Sequence, residues 1–169
     1  MKIRKVLLIS SVLIIIGVIL GIVYSQYSLK GFLLWRGIKM DQVVMTQQLS
    51  NPNGSAVLYS KSSKAGILFI ENSGNRYIEI SHEWAEKNNS PFMMLASSYL
   101  SILEGGVPKS SFILGGYGLV QDGEKLKLQL GDHLVEPEHH FFDSDKGILY
   151  FIHVVKNADE MESYSIVVS

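Results

Sequence analysis

The chain has 169 residues, of which 47% are apolar and 18% charged, and it contains no cysteine. This length predicts one domain, and the apolar content excludes an intrinsically disordered chain. The absence of cysteine excludes disulfides, thiolate metal sites and a cysteine nucleophile. The formal net charge of −1 gives no electrostatic reason to expect a nucleic acid as a partner.

The strongest pattern is an apolar run over residues 6–24 that contains no charged side chain. As an α-helix it would span about 28 Å at roughly 1.5 Å per residue, close to the thickness of about 30 Å of a bilayer core. Lys2, Arg4 and Lys5 precede the run, and basic residues stay on the cytoplasmic side. We therefore expect a single-pass cell-membrane protein that contacts lipid through 6–24, with residues 1–5 inside as a basic tip and the C-terminal domain outside.

The same N-terminus also fits a cleaved secretory signal peptide. Val23, Tyr24 and Ser25 form a passable cleavage site, which would leave a mature N-terminus near Gln26. The apolar run is longer than the roughly 7–15 residues of a typical signal peptide, and no A-x-A follows it. The uncleaved anchor is therefore the preferred interpretation, and both alternatives export the rest of the chain.

Gly17 and Gly21 form a G-x-x-x-G pair within the apolar run. Two glycines four positions apart share one helix face and allow close packing of a second membrane helix. This pattern predicts a dimer or a partner helix in the membrane. The alternative is a chance pair, because glycine is common in membrane helices.

The segment 25–53 is predicted to be a juxtamembrane stalk. Its apolar stretch 32–35 is surrounded by basic residues, which indicates an interfacial continuation of the membrane helix. A short helix or strand is expected to follow over 38–49. Pro52 and the Asn-Gly pair after it favour a loop, so the extracytoplasmic domain is expected to cover 54–169.

Short strands dominate the pattern of this domain. Strict alternation from Lys125 onward predicts a strand with one buried face, and Asp122-Gly123 predicts a tight hairpin before it. The run 148–155 is apolar on both faces and is expected to be a central strand that pairs with 164–168. Seven strands are predicted, at residues 56–60, 66–71, 76–81, 111–121, 124–130, 148–155 and 164–168.

One buried helix is predicted over 92–104. Ser90 can cap it, Pro91 suits its first turn, and Gly105 with Gly106 ends it. Its polar face is narrow, so it should pack against the sheet. The predicted fold class is therefore α+β: a single N-terminal transmembrane helix, followed by a small, mainly antiparallel β-sheet or sandwich domain with one buried helix.

A cluster of imidazole and carboxylate groups between residues 133 and 153 is the main candidate for chemistry. In a chain without thiols, these are the ligands that suit zinc, manganese or iron. They lack the H-x-H or H-E-x-x-H spacing of a dedicated metal site. The alternative is a polar loop between two strands, with one buried, hydrogen-bonded histidine. The candidate metal ligands are His133, Glu136, His139, His140 and His153.

No complete catalytic motif accompanies this cluster: the chain has neither G-x-S-x-G nor a phosphate-binding loop with Gly-Lys-Ser/Thr. We therefore expect a non-enzymatic binding or assembly domain without a cofactor, held near the membrane so that its concentration for an envelope partner is raised. The alternative is a metal-binding or metal-dependent enzyme domain that uses residues 133–153. It predicts bound divalent metal that is lost on His139→Ala or His140→Ala.

Overall fold

The computed structural model of the protein describes residues 2–49, 54–74, 76–88, 90–102, 108–121, 123–155 and 163–169. Over these residues the chain forms two α-helices, a 3₁₀ turn at Met40–Gln42 and 11 strands. The helices are α1 (Lys2–Tyr27) and α2 (Leu29–Trp35). The strands are β1 (Val43–Leu49), β2 (Gly54–Ser60), β3 (Lys64–Ser73), β4 (Arg76–Glu86), β5 (Phe92–Ile102), β6 (Pro108–Leu119), β7 (Leu126–Leu130), β8 (His133–Val135), β9 (His139–Asp143), β10 (Ile148–Val155) and β11 (Tyr164–Val168).

The described strands form three antiparallel sheets. The first sheet has the strand order β1-β2-β3-β4, the second has β5-β6-β10-β9, and the third has β11-β7-β8. The prediction of a mainly antiparallel β fold after one N-terminal apolar helix is therefore confirmed.

α1 is an apolar helix whose side chains from Ile9 to Tyr24 are exposed. Among the described residues, it is the one helix that is long and apolar enough to cross a membrane, over Ile9–Tyr27. A signal sequence near the N-terminus can also be long and apolar enough to meet this criterion. The helix is therefore compatible with both interpretations of the N-terminus.

The two central strands of the first sheet, β2 and β3, are buried on both faces, which explains why they are nearly continuous apolar runs rather than alternating ones. On one face, Phe69 packs with Ile113 and Ile152 of the second sheet. On the opposite face, Leu68 is covered by Phe32 of α2. The core of the domain thus includes a helix that directly follows α1.

The central strands of the second sheet, β6 and β10, are covered on both faces as well. Its side away from the first sheet packs Leu114 and Phe151 against Leu126 and Leu128 of the third sheet. β10 lies between β6 and β9, so the prediction of a central strand over 148–155 is confirmed. The predicted alternation of β7 is confirmed too, because its leucines face this cluster.

The strands predicted at 56–60, 66–71 and 76–81 are confirmed as β2, β3 and β4, which pair in that order. β4 is longer than predicted and continues to Glu86. β1 pairs with β2 and completes the sheet on its other side. The sheet therefore includes residues 43–49, which the sequence pattern places in the juxtamembrane segment.

The buried helix predicted over 92–104 is wrong. Phe92–Ile102 forms β5 instead and pairs with β6 along its whole length. Successive side chains point to opposite sides, since Met93 packs on the core between the first two sheets and Met94 on the core beside the third. A strand that is apolar on both faces lacks a period of two and resembles a buried helix in sequence. Gly116 allows β6 to approach β5 closely, because it has no Cβ. A Cβ at this position would collide with the Met93 carbonyl oxygen.

Two predicted strand pairings are also wrong. β6 and β7 flank the predicted hairpin turn, yet they belong to the second and the third sheet. Gly123 has the positive φ expected of such a turn, 88°, but the chain crosses between sheets there. β11 pairs with β7 and not with β10. Some residues of the predicted domain boundary, the predicted helix end and the predicted turns lie outside the described part of the chain. They are 50–53, 103–107, Asp122 and 156–162.

The packing of α2 on the first sheet can be tested with a matched pair of leucines. Leu68 is 0% exposed beneath α2, whereas Leu134 in β8 is 47% exposed. Leu68→Ala is expected to lower the free energy of unfolding by about 2–5 kcal/mol, because it removes buried methyl groups and leaves a cavity. Leu134→Ala should change it by only about 0.5 kcal/mol. Denaturant unfolding of the full chain in detergent measures both, and equal losses would contradict the burial of this face.

Candidate functional site

A compact helix junction joins the last turn of α1 to α2. The Ser28 hydroxyl accepts a hydrogen bond from the Gly31 N–H at 2.9 Å and donates one to the Tyr24 carbonyl at 3.0 Å. A Cβ at Gly31 would collide with that same carbonyl, so the two helices approach closely. Gly37, with φ 67°, follows the end of α2. A serine cap at one end and a left-handed glycine at the other therefore set the limits of α2.

Both helices are attached to β4. Arg36, directly after α2, forms an ion pair with Glu79, and its guanidinium carbon lies 3.7 Å from the centroid of the Phe32 ring. Arg76, the first residue of β4, donates a hydrogen bond of 2.8 Å from Nε to the Tyr27 hydroxyl. The first sheet is thus connected to the apolar helix directly through Tyr27 and to the end of α2 through Arg36.

A groove of about 450 Å³, which we call the junction groove, lies between α1, α2 and β4. Ile22, Trp35 and Ile78 contribute its apolar lining, and the Arg36–Glu79 ion pair contributes polar groups. Trp35 is 72% exposed and Ile78 is 46% exposed. The groove therefore combines an uncovered apolar surface with an ion pair.

A tyrosine–histidine pair lies on the face of the first sheet that α2 also covers. The Tyr59 hydroxyl and His82 Nε2 are 2.8 Å apart. The Tyr59 side chain passes over Gly66 of the intervening strand β3, where a Cβ would collide with it. The pair therefore connects β2 to β4 across β3.

Burial controls the protonation of this pair. It raises the pKa of Tyr59, and the nearby Glu79 carboxylate raises that pKa further. Burial also lowers the pKa of His82; Glu79 opposes this shift, whereas Arg36 and Lys61 add to it. Both side chains are therefore neutral at pH 7, which suits a hydrogen bond that stabilises the sheet.

The structure distributes the candidate metal ligands over two sheets. His133 lies in β8 of the third sheet, and Glu136 contacts Lys125 at 3.4 Å between Oε1 and Nζ. His139 and His140 are consecutive in β9 of the second sheet, so their side chains point to opposite faces. Strand alternation thus separates His139 from His140, and His133 lies in a different sheet, whereas Glu136 and His140 line one pocket beside Pro137.

His153 lies in β10 and is half-buried. Its ring Nδ1 accepts a hydrogen bond of 3.4 Å from the Glu138 backbone N–H. Burial lowers the pKa of His153; Glu138 opposes this shift and His139 adds to it. Among the residues that the structure describes, no three histidine, aspartate or glutamate side chains are placed to share a metal ion.

β9 is an edge strand that the sequence pattern did not predict. It pairs with β10 at the border of the second sheet. Phe141 and Phe142 are 50% and 48% exposed, respectively. A second groove of about 450 Å³ separates β9 from Met45 and its neighbours in β1. The adjacent histidines and Asp143 made the segment resemble a polar loop, and the Phe-Phe pair was the signal that could have revealed it.

Comparisons of the chain with protein-family models, with curated proteins and with solved structures find no match. The helix junction, the junction groove and the β9 edge are therefore the features from which a function can be argued. The helix junction determines how α1 is attached to the domain. The β9 edge is a surface through which the domain can contact another chain.

Acidification is expected to destabilise the domain. His82 and His153 both have pKa values that burial lowers from 6.5, so below about pH 6.5 the unfolded chain binds protons more readily than the folded one. The contribution of these two neutral histidines to the free energy of unfolding is therefore fully present above that pH. It is lost as the pH decreases through their folded-state pKa values. The charged and titratable groups that act on the two histidines are Glu79, Glu83, Arg36 and Lys61 for His82, and Glu138 and His139 for His153.

Thermal unfolding of the full chain in detergent, between about pH 7.5 and about pH 5, measures this loss. His82→Gln should reduce the dependence on pH, because the variant lacks one of the two buried titrating rings. His133→Gln is the matched control, because it makes the same substitution at an exposed position. A Tm that stays constant or rises on acidification would refute the expectation.

Proposed function

We propose that this protein is a single-pass membrane protein, with its N-terminus inside and its β domain outside, and that the domain acts by binding and assembly rather than by catalysis. The observation that carries the proposal is the helix junction. The last turn of α1 belongs to the folded structure, since Tyr24 contacts Ser28 and Tyr27 contacts Arg76. The domain is therefore held close to the apolar helix and not on a long linker.

The junction favours an uncleaved anchor over a cleaved signal peptide. Cleavage after Ser25 would remove Tyr24, whose carbonyl accepts the Ser28 hydroxyl, and Ile22, which lines the junction groove. A segment destined for removal gains nothing from such contacts. An anchor does gain, because it holds the domain beside the membrane and raises its effective concentration for partners there.

The charge distribution supports this orientation. Lys2, Arg4 and Lys5 precede the apolar span, and basic residues remain on the inner side. The chain after α1 contains all 16 acidic residues but lacks these three of the 15 basic ones. The exported part is therefore acidic, which disfavours nucleic acid as its partner.

The β9 edge is the surface best suited to a protein partner. Its register with β10 is regular from His139 to Asp143, and the strand contains no proline, glycine or lysine that would hinder strand addition. Phe141 and Phe142 add exposed apolar surface at its centre. An open edge of this kind allows a further strand to pair through its backbone.

A second copy of the chain is the partner we assign to this edge, because the β9 sequence is self-complementary. In an antiparallel pair centred on Phe141, His139 faces Asp143 of the partner subunit, and His140 faces Phe142 of the partner subunit. Pairs of aromatic side chains and pairs of a histidine with a carboxylate stabilise neighbouring strands. All residue pairs in this arrangement are therefore compatible.

α1 offers a second contact between copies. Cβ atoms at Gly17 and Gly21 would meet nothing within 4 Å, so the face that carries both glycines is open. A second helix can approach closely at such a face. We include this helix contact in the proposed assembly.

Membrane anchoring can be tested with single cysteines, because the chain contains none of its own. Ser62→Cys, in the exposed turn between β2 and β3, should react with a membrane-impermeant maleimide in intact cells. Lys2→Cys is the control and should react only after the membrane is opened. The chain should also resist carbonate extraction. The N-terminus of the extraction-resistant chain should be Met1 or one of the next few residues. A soluble product that begins near Gln26 would show cleavage and contradict the anchor.

Pairing through β9 predicts a specific oxidative cross-link. Phe141→Cys in the full chain should form a disulfide-linked dimer in membranes, because residue 141 faces its own copy at the centre of the pair. Leu134→Cys has a similar exposure in β8 of the third sheet and should not form the dimer. Co-expressed His139→Cys and Asp143→Cys chains should cross-link to each other, whereas His139→Cys alone should not.

Equal yields at positions 141 and 134 would argue against β9 pairing. Gly17→Leu and Gly21→Leu should lower the cross-link yield at position 141 if the helices pack as proposed, because leucine separates the two helix backbones. An unchanged yield would restrict the assembly to the β9 edge.

A further inference from the structure

We propose that the junction groove is a binding site for one phospholipid of the outer leaflet, with an acyl chain on its apolar side and a zwitterionic headgroup at the Arg36–Glu79 pair. This inference rests on the proposed membrane anchor. It adds a ligand of defined chemistry to a groove that serves neither the β9 edge nor the Tyr59–His82 pair.

The position of the groove identifies a lipid as its occupant. Ile22 lines the groove and also belongs to the apolar span Ile9–Tyr27. From Ile22 the groove extends along α1 past Ser25 and Gln26, which are polar. If the span lies in a bilayer, the groove therefore crosses the level at which hydrocarbon meets headgroups.

The apolar side of the groove is left uncovered by the rest of the domain. Trp35 is 72% exposed, and Ile78 is 46% exposed on the facing strand β4. Phe32, which also lines the groove, is 4% exposed and gives the groove a fixed wall. Tryptophan prefers the membrane interface, where its ring lies among upper acyl carbons and headgroups. An acyl chain is thus a suitable neighbour for this surface.

The ion pair supplies both charges that a zwitterionic headgroup requires. The Arg36 and Glu79 side chains are 25% and 33% exposed, so a ligand can reach both. The guanidinium group has five N–H donors, of which Nε contacts Glu79 and Nη1 lies 3.5 Å from the Phe32 carbonyl oxygen. Arginine can therefore hold a phosphate through further donors, while the carboxylate of Glu79 receives a primary ammonium group.

The two tryptophans of the chain make the acyl part of this proposal directly measurable. In Trp84→Phe, Trp35 is the sole tryptophan; in Trp35→Phe, it is Trp84, which lies near the other end of β4 with the Lys64 ammonium 3.7 Å from its ring centroid. Each full-length variant is reconstituted in vesicles of zwitterionic phospholipid with or without bromine on the upper acyl carbons. Bromine should quench Trp35 fluorescence strongly and Trp84 fluorescence far less, because Trp35 lines the groove and Trp84 does not.

The headgroup part is tested by the lipid that remains bound after purification in detergent. Native mass spectrometry of the full chain should show one phospholipid that is largely lost in Arg36→Gln and in Glu79→Gln. Lys39→Gln, at an exposed position outside the groove, is the matched control and should retain it. Thermal unfolding of each variant verifies that it is folded, and the Trp35 measurement keeps Arg36 and Glu79 intact if either variant fails.

The outcomes separate this inference from the proposed anchor. A chain that resists carbonate extraction but whose Trp35 is unquenched, or quenched no more than Trp84, overturns the lipid site and leaves the anchor standing. Lipid retained equally in Arg36→Gln and Lys39→Gln overturns the headgroup assignment. Displacement of the lipid by inorganic phosphate alone would identify a free-phosphate site and would also overturn the headgroup assignment. A chain absent from membranes refutes the anchor and the lipid site together.

Discussion

The structure depends on the burial of the first sheet between two different partners. One face packs on the second sheet, and the other is covered by α2. Because α2 follows α1 directly, the hydrophobic effect that stabilises the domain also attaches the apolar helix to it. Phe32, Leu33 and Ile38 are buried in this layer, so part of the segment predicted to be a juxtamembrane stalk belongs to the core.

Polar contacts then fix the position of α1 relative to the first sheet. The Arg36–Glu79 pair is partly exposed, and pairs of this kind contribute little to the free energy of unfolding. With the Ser28 cap and the Tyr27–Arg76 hydrogen bond, it sets where the end of α1 lies on β4. The junction groove is a consequence of this arrangement, because a helix docked at its end on a strand leaves space beside the contact. The proposed assembly uses a different part of the domain, the β9 edge of the second sheet.

The sequence allowed correct predictions wherever a local pattern has one structural meaning. β2, β3 and β4 are separated by turn-forming residues, and β7 alternates in hydropathy, so each was found. β5 was mistaken for a helix because burial on both faces removes the alternation that distinguishes a strand. The partner of β11 was missed because strand pairing depends on elements distant in sequence. For the candidate site, the sequence identified the histidines as candidates. It did not show that they lie in two different sheets or that Arg36 pairs with Glu79.

Taken alone, the sequence determined an apolar N-terminal helix, a basic tip before it, a chain without thiol chemistry, and a domain rich in short strands. Each of these follows from composition or from the spacing of neighbouring residues. Only the tertiary structure decided that β5 is a strand, that β6 and β7 lie in different sheets, and that α2 covers the first sheet. The physical reason is that a hydrophobic pattern shows which side chains must be buried. Which element buries them is decided by packing among segments far apart in the chain.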